Sequence, residues 1–410
     1  MGESGKDFNR AVSFLLTASI LAGAFSFFYQ LVMGNHLNEK YAELMSILSL
    51  FTILTIPAQT ISLVLSRNVN NLKAQGREEE LSGLLRSTYK FIIIGGIIGA
   101  CALLISIPIL QDFLKISDPM PIILISVSLA ISVIDPVGTG SAQGLQRFRW
   151  IGFQTSIGPT IKLLLGSLFV VGFAWGVTGA VAGVVLGAFA SLTISVMAIK
   201  DYLAVKGKPY PLSGVKRFIA PVLFAVICFS ILTNIDVILA KHYFTDAVAS
   251  NYSAAATIAK VILFLPTAVC AVMFPKLSDA HVRNKDTMNI MNQAIRTTFI
   301  ISSLAAIACV LFPETIVHIL YPNQAGAAEV LRILGFAMTF FSLSQLFMNY
   351  ALATDTHIFL YVLGGFMALE VGLMIVFHSA PVDIAWSQFV AGAGIVLISY
   401  IYTRLEMAKA

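Results

Sequence analysis

Residues 234–279 read NIDVILAKHYFTDAVASNYSAAATIAKVILFLPTAVCAVMFPKLSD. Two apolar runs dominate the stretch, and the polar punctuation between them, around Lys241 and His242, is short. A helix of about 20 apolar residues crosses roughly 30 Å of hydrocarbon, and runs of that length recur along all 410 residues. Hydrophobic residues make up 58% of the chain and charged residues 11%, against roughly 25% charged in soluble globular proteins. That leaves too little polar material to cover a soluble surface. In a bilayer only helices and closed barrels satisfy their own backbone. Runs this long mean helices, so the fold class is all-α and polytopic.

Twelve spans fit, near 11–33, 41–66, 88–110, 119–142, 155–174, 176–199, 217–240, 248–274, 294–312, 329–352, 357–378 and 382–403. The polar start MGESGKDFNR leads into a run too long for a signal-peptide core, which predicts an uncleaved first span. Of the 26 Lys and Arg, 20 fall on the side of the N-terminus and four (Lys40, Lys115, Lys241, Arg332) on the other. The remaining two, Lys162 and Lys260, lie inside spans. Cationic loops stay cytoplasmic, so a multi-pass protein of the cell membrane with both termini cytoplasmic is expected. The segments REEELSGLLRSTYKF (77–91) and KDTMNIMNQAIRTTF (285–299) read as amphipathic surface helices. The four cysteines sit in apolar runs, where they pack as small hydrophobes. The histidines are scattered, and no Gly-rich phosphate loop or clustered metal ligands occur. The reading is of a non-enzyme with no cofactor, no metal and no nucleic-acid partner.

The opening stretch has a counterpart in FYQLVMGNHLNEKYAELMSILSLFTILTIPAQTISLVLSRNVN, residues 28–70. His36 matches His242, Pro57 matches Pro266 and Arg67 matches Lys276, at a steady offset of 206–210 residues. Six spans per half is an even number, so the halves run in the same direction, a known transporter plan. The expected domains are a six-helix bundle over 1–205, a basic linker at 206–216 and a second six-helix bundle over 217–410, pseudo-symmetric around a central cavity. Pro57 and Pro266 hold matching positions inside their spans, as a packing kink or a paired hinge.

Ionisable residues inside spans are costly and are functional candidates by default. They are Asp135, Lys162, Asp236, Lys260 and Glu370. Asp135 precedes Pro136, where a carboxylate capping a broken helix competes with an ionic role. Asp236, beside Asn234, falls roughly 8 Å from the outer end of its span. There it reads as an interfacial carboxylate or as part of an outer gate or ion site. The repeat pairs it with Gln30. Lys162 and Glu370 are also repeat mates, either paired across the halves or each satisfied within its own. Lys260 has no acidic residue one turn away, and an ammonium about 18 Å from either membrane surface calls for an anionic ligand. A phosphate-bearing lipid would supply one.

The motifs in 234–279 resemble those of the polysaccharide transporter (oligosaccharide flippase) family. The resemblance rests on an Asn/Asp-bearing helix with Asp236, on Tyr252 followed by Ala254 and Ala255, and on Pro266, Pro275 and Lys276. AQGLQRFRW (142–150) and LSRNV (65–69) are similar to two further family stretches. Asn251 stands where the family usually has glycine. The resemblance implies the multidrug/oligosaccharidyl-lipid/polysaccharide exporter fold. It also implies a substrate, a polyprenyl-(pyro)phosphate-linked oligosaccharide moved from the cytoplasmic to the outer leaflet by alternating access. Lys260 and Lys162 would then meet the phosphates, with Gln30 and Gln59 among the groups for sugar hydroxyls. Asp236, Asn234, Glu370 and Asp135 would serve ion coupling or gating, with a proton or sodium as the coupling ion. The expected partners are the lipid-linked oligosaccharide and membrane lipids, and a monomer is expected to suffice. The alternative is an ion-coupled multidrug and toxin extruder of the same fold, which would favour acidic cavity residues.

Overall fold

The computed structural model describes residues 3–205, 207–208, 216–264, 288–353 and 358–407. Every regular element among them is helical. Among the described residues twelve long helices fall in the twelve expected spans, and the end of the eighth span, 265–274, lies outside the described residues. The first six are α1 (Glu3–Leu37), α2 (Tyr41–Ala74), α3 (Glu78–Ile105), α4 (Met120–Gly144), α5 (Phe148–Ser167) and α6 (Gly176–Met197). The second six are α7 (Lys216–Tyr243), α8 (Asp246–Phe264), α9 (Met288–Leu311), α10 (Ala327–Ala353), α11 (Ile358–Val376) and α12 (Pro381–Met407). Eleven stretches are long and apolar enough to cross a bilayer, and the first, 61 residues from Phe14 to Ala74, holds both α1 and α2. The chain is a multi-pass membrane protein.

The expected amphipathic surface helices do not form separately. Residues 78–91 are the start of α3 and residues 288–299 the start of α9. In α3 the buried Leu81, Leu84, Leu85, Thr88 and Ile92 share one continuous face, so nothing interrupts the helix where it leaves the polar segment. What the sequence did not announce are two short amphipathic helices, Ile107–Leu114 and Pro313–Leu320, each with proline in its first turn.

Inter-residue packing divides the chain into two units. The N-terminal unit comprises residues 1–37 and 54–223, and the C-terminal unit 38–53 and 224–410. Residues 38–53, assigned to the first bundle from the repeat, therefore pack with the second.

Within the N-terminal unit, α5 and α6 are seamed by small residues. A Cβ at Gly183 would lie 2.6 Å from the Cα of Gly166, and one at Gly187 would lie 2.6 Å from the carbonyl oxygen of Gly158. Apolar tails gain nothing over lipid by touching each other, so membrane helices associate through such close backbone approach. Cations close the helix ends of this unit. Lys73 donates to the Leu145 carbonyl, Arg147 to Ala198 and Arg86 to Leu203, each meeting a carbonyl that a helix C-terminus leaves open. The segment after α6 returns to α3. There the Lys208 amide donates to the Glu79 carbonyl, and Gly207 lies against Gly83 too closely for any side chain. Glu79 also pairs with the Lys208 ammonium at 2.6 Å and holds it above its ordinary pKa.

In the C-terminal unit α10 packs against α8, α9 and α12. The turn before α2 is bound into this unit. Tyr41, fully buried, shares a hydrogen bond of 2.9 Å with Thr257 and one of 3.3 Å with Tyr321. Ser250 donates to the Glu39 carbonyl and accepts from the Ala42 amide.

Candidate functional site

Among the described residues, one buried polar group lies in the C-terminal unit. Asp236 on α7 is fully buried, and its Oδ2 accepts from the Tyr252 hydroxyl of α8 at 3.1 Å. One face of α8 carries Lys260 to the same place, where Nζ donates to Asn234 Oδ1 at 3.1 Å and feels the charge of Asp236. Asn234 in turn donates to the Ser230 carbonyl and to Thr233. Glu370 on α11, also fully buried, faces Asp236 and Gln388. The Gln388 amide of α12 gives one of its two N–H donors to the Leu232 carbonyl at 3.2 Å and stands beside Glu370. Within hydrogen-bond distance, Asp236 Oδ1, both Glu370 oxygens and Gln388 Oε1 meet no donor among the described residues. Each such orphan costs about 1–3 kcal/mol. The group holds two carboxylates against one lysine, with four buried acceptor oxygens left without a donor among the described residues.

Three sequence expectations change here. Asp236 is fully buried, so at whatever depth it lies it is not a water-exposed carboxylate. Depth was read along the helix axis, whereas burial depends on which side of α7 faces α8 and α11. Lys260 is not a lone cation, because the tertiary fold supplies Asp236 and Asn234, which no one-turn spacing on α8 reveals. Glu370 meets Asp236 and Gln388 of its own unit, so the local reading replaces the pair with Lys162. Lys241, counted with the outer loops, is 1% exposed and forms an ion pair with Asp246 across the α7–α8 turn.

In the N-terminal unit Lys162 stands at the α5–α6 seam, between Gly158 and Gly166. Its ammonium lies 4.8 Å from the Tyr29 ring centre, a cation–π contact. Tyr29 is held there by a 3.0 Å bond from its hydroxyl to the Ala180 carbonyl. No carboxylate pairs with Lys162 among the described residues. Gln30 is half-buried on α1, and Gln59 is exposed on α2. Pro57 lies within α2, and Pro266 lies outside the described residues. Asp135 occupies a separate place among α3, α4, α5 and α6. Tyr252, Gln388 and Tyr29 were not singled out as site residues. The readable signal was a lone polar residue inside an apolar span, such as Gln388 in DIAWSQFVAGAG.

Helices long enough to span the bilayer, with charges held inside two packed units, define the class as a polytopic all-α membrane protein with buried polar sites. The chain belongs to the family described as polysaccharide biosynthesis protein, whose model matches residues 70–328, more than half of its length. Its fold is shared with a multidrug resistance MATE family transporter of the MOP superfamily in an inward-facing conformation. That likeness has TM-score 0.80 and 14% identity, covering 98% of this chain and 100% of the other. It is also shared with the lipid II flippase MurJ in an inward closed conformation (TM-score 0.74, 14% identity, 96% of this chain and 87% of the other). A MOP superfamily transporter from Pyrococcus furiosus, described as having a binding pocket of reverse polarity, is similar too. There the TM-score is 0.64 and the identity 16%, with 98% and 96% covered. No curated protein sequence matches the chain.

Proposed function

We propose that the protein is a transporter that flips a polyprenyl-(pyro)phosphate-linked oligosaccharide from the cytoplasmic to the outer leaflet of the cell membrane during surface polysaccharide synthesis. The observation that carries this reading is Lys162, an ammonium inside the membrane with an aromatic ring and, among the described residues, no carboxylate beside it. In a family of polysaccharide biosynthesis proteins, a phosphate-bearing lipid is the anion that such a cation would meet. The phosphate contact assigned to Lys260 from sequence passes to Lys162, because Asp236 already offsets Lys260. The C-terminal cluster around Asp236 and Glu370 then couples flipping to a proton or sodium gradient. Gln30 and Gln59 remain the groups for sugar hydroxyls.

The same acidic cluster favours a second reading, export of an organic cation. Proteoliposomes carrying a fluorescent polyprenyl-pyrophosphate oligosaccharide separate the two. Wild type is expected to expose the inner-leaflet probe to an external quencher. Lys162→Gln is expected to slow this by about tenfold, the worth of one charged contact, while Lys162→Arg retains it. An unchanged rate in Lys162→Gln removes Lys162 from the substrate path. Efflux of an organic cation without lipid flipping selects the exporter.

A further inference from the structure

The ionisable groups inside the helices differ in what holds their charge. Asp236 and Lys260 lie within reach of each other's charge. Asp135 stands on a helix that runs unbroken through Pro136, so it caps no helix start. Its Oδ2 accepts from Gln154 of α5 at 2.6 Å and from Ser191 of α6 at 3.3 Å. Lys162 has an aromatic ring instead. Its ammonium lies 4.8 Å from the Tyr29 ring centre, inside the roughly 6 Å over which a ring face attracts a cation. The ring itself is fixed from two sides. Tyr29 on α1 is fully buried, and its hydroxyl donates to the Ala180 carbonyl of α6 at 3.0 Å. That bond spends the polar tip of the side chain on backbone. Gly166 stands one helical turn beyond Lys162 on α5 and leaves the space that the ring edge fills. A Cβ there would lie 2.8 Å from Tyr29 Cε2.

A carboxylate beside Lys162 would stabilise the ammonium, but it would also occupy it. Its oxygens would accept the N–H donors, and a second anion would have to displace them. A ring face attracts the cation through its quadrupole and offers no lone pair, so the three N–H donors of the ammonium stay open to a ligand. We propose that Tyr29 is a positioning residue that stands in for a counter-ion at Lys162, holding its charge while leaving it open to a phosphate. The identity of that phosphate rests on the flippase reading; the hold of the ring on the ammonium does not. The same arrangement sets the sign of the site. With no carboxylate among the described residues to meet a cation, it favours anionic over cationic ligands.

The test has two arms, both on the full chain. In lipid nanodiscs, Lys162 is acylated with acetic anhydride, which takes the free amine and not the ammonium, and the modified peptide is quantified by mass spectrometry through a pH series. Tyr29→Leu keeps apolar bulk without the ring. It is expected to displace the labelling curve along the pH axis, so that below the plateau Lys162 reacts about tenfold faster. Tyr29→Phe keeps the ring in the space left by Gly166 and is expected to stay close to wild type. Altered access alone would scale the curve without displacing it, so a merely structural role does not produce this result. In proteoliposomes, the fluorescent polyprenyl-pyrophosphate oligosaccharide is titrated. Tyr29→Leu is expected to raise its half-saturating concentration about tenfold with the maximal rate kept, and Tyr29→Phe is expected to leave both unchanged. The proposal is overturned if folded Tyr29→Leu keeps the labelling curve of wild type or only scales it. A displaced curve with unchanged lipid half-saturation removes the phosphate contact, and with it the flippase reading, while the hold of the ring on Lys162 stands.

Discussion

Asp236 and Lys260 show what a single residue means once its surroundings are fixed. Each is expensive to bury alone, and each is held by the other's charge and by Tyr252 and Asn234. Removing one partner of a buried pair costs on the order of 3–5 kcal/mol, whereas removing both charges together is often near neutral. Lys260→Met is therefore expected to lower the thermal midpoint sharply, because it leaves Asp236 and Glu370 facing each other without a cation. Asp236→Asn combined with Lys260→Met should recover most of the loss. The check is a double-mutant cycle on detergent-solubilised protein. Additive losses would mean that the two charges do not act on each other. The sequence revealed which residues were costly but not which residues relieved them. Hydropathy places a residue along the membrane normal, and the partner sits on another helix whose rotation no spacing encodes.

At the scale of elements, the twelve spans were legible because about 20 apolar residues leave a segment little choice but to cross as a helix. The starts of α3 and α9 were misjudged. A polar, amphipathic beginning resembles an interfacial strut until its buried face is seen to continue into the span. The α5–α6 seam was legible in principle, since GAVAGVVLG places Gly179, Gly183 and Gly187 four residues apart. Four residues is one helical face, and such small-residue stripes mark close helix contacts. Gly183→Ala puts a methyl within 2.6 Å of the Gly166 Cα, where backbone and not a side chain must move. The expected cost is about 1–3 kcal/mol. Gly95→Ala, with nothing within 4 Å of the new methyl, should leave stability unchanged. Thermal unfolding of the two variants side by side decides the matter. Equal midpoints would mean that the seam can open freely and does not fix the backbone that carries Lys162.

At the scale of the whole molecule, the repeat and the packing give different partitions, and the difference lies in α2. Internal similarity records duplication and assigns the whole of α2 to the first half. Packing instead gives residues 38–53 to the C-terminal unit and hands the chain back at Leu54. The transfer occurs inside one continuous helix. Proline at position 57 lacks the amide that would bond the carbonyl four residues earlier, which belongs to Ile53. That carbonyl is the last of the segment packed with the C-terminal unit. A helix that omits a hydrogen bond where its packing passes from one unit to the other is soft there. Pro57→Ala restores the amide. It is expected to hold or raise the thermal midpoint, by less than the roughly 3 kcal/mol that a proline costs in a water-exposed helix, because neighbours in a membrane protein partly satisfy the freed carbonyl. It is also expected to slow lipid flipping several-fold in proteoliposomes at unchanged probe binding. A slower rate with a lower midpoint would point to damage at a packing position. An unchanged rate would show that α2 does not bend at Pro57 during transport, and the hinge would then have to be sought elsewhere in the chain.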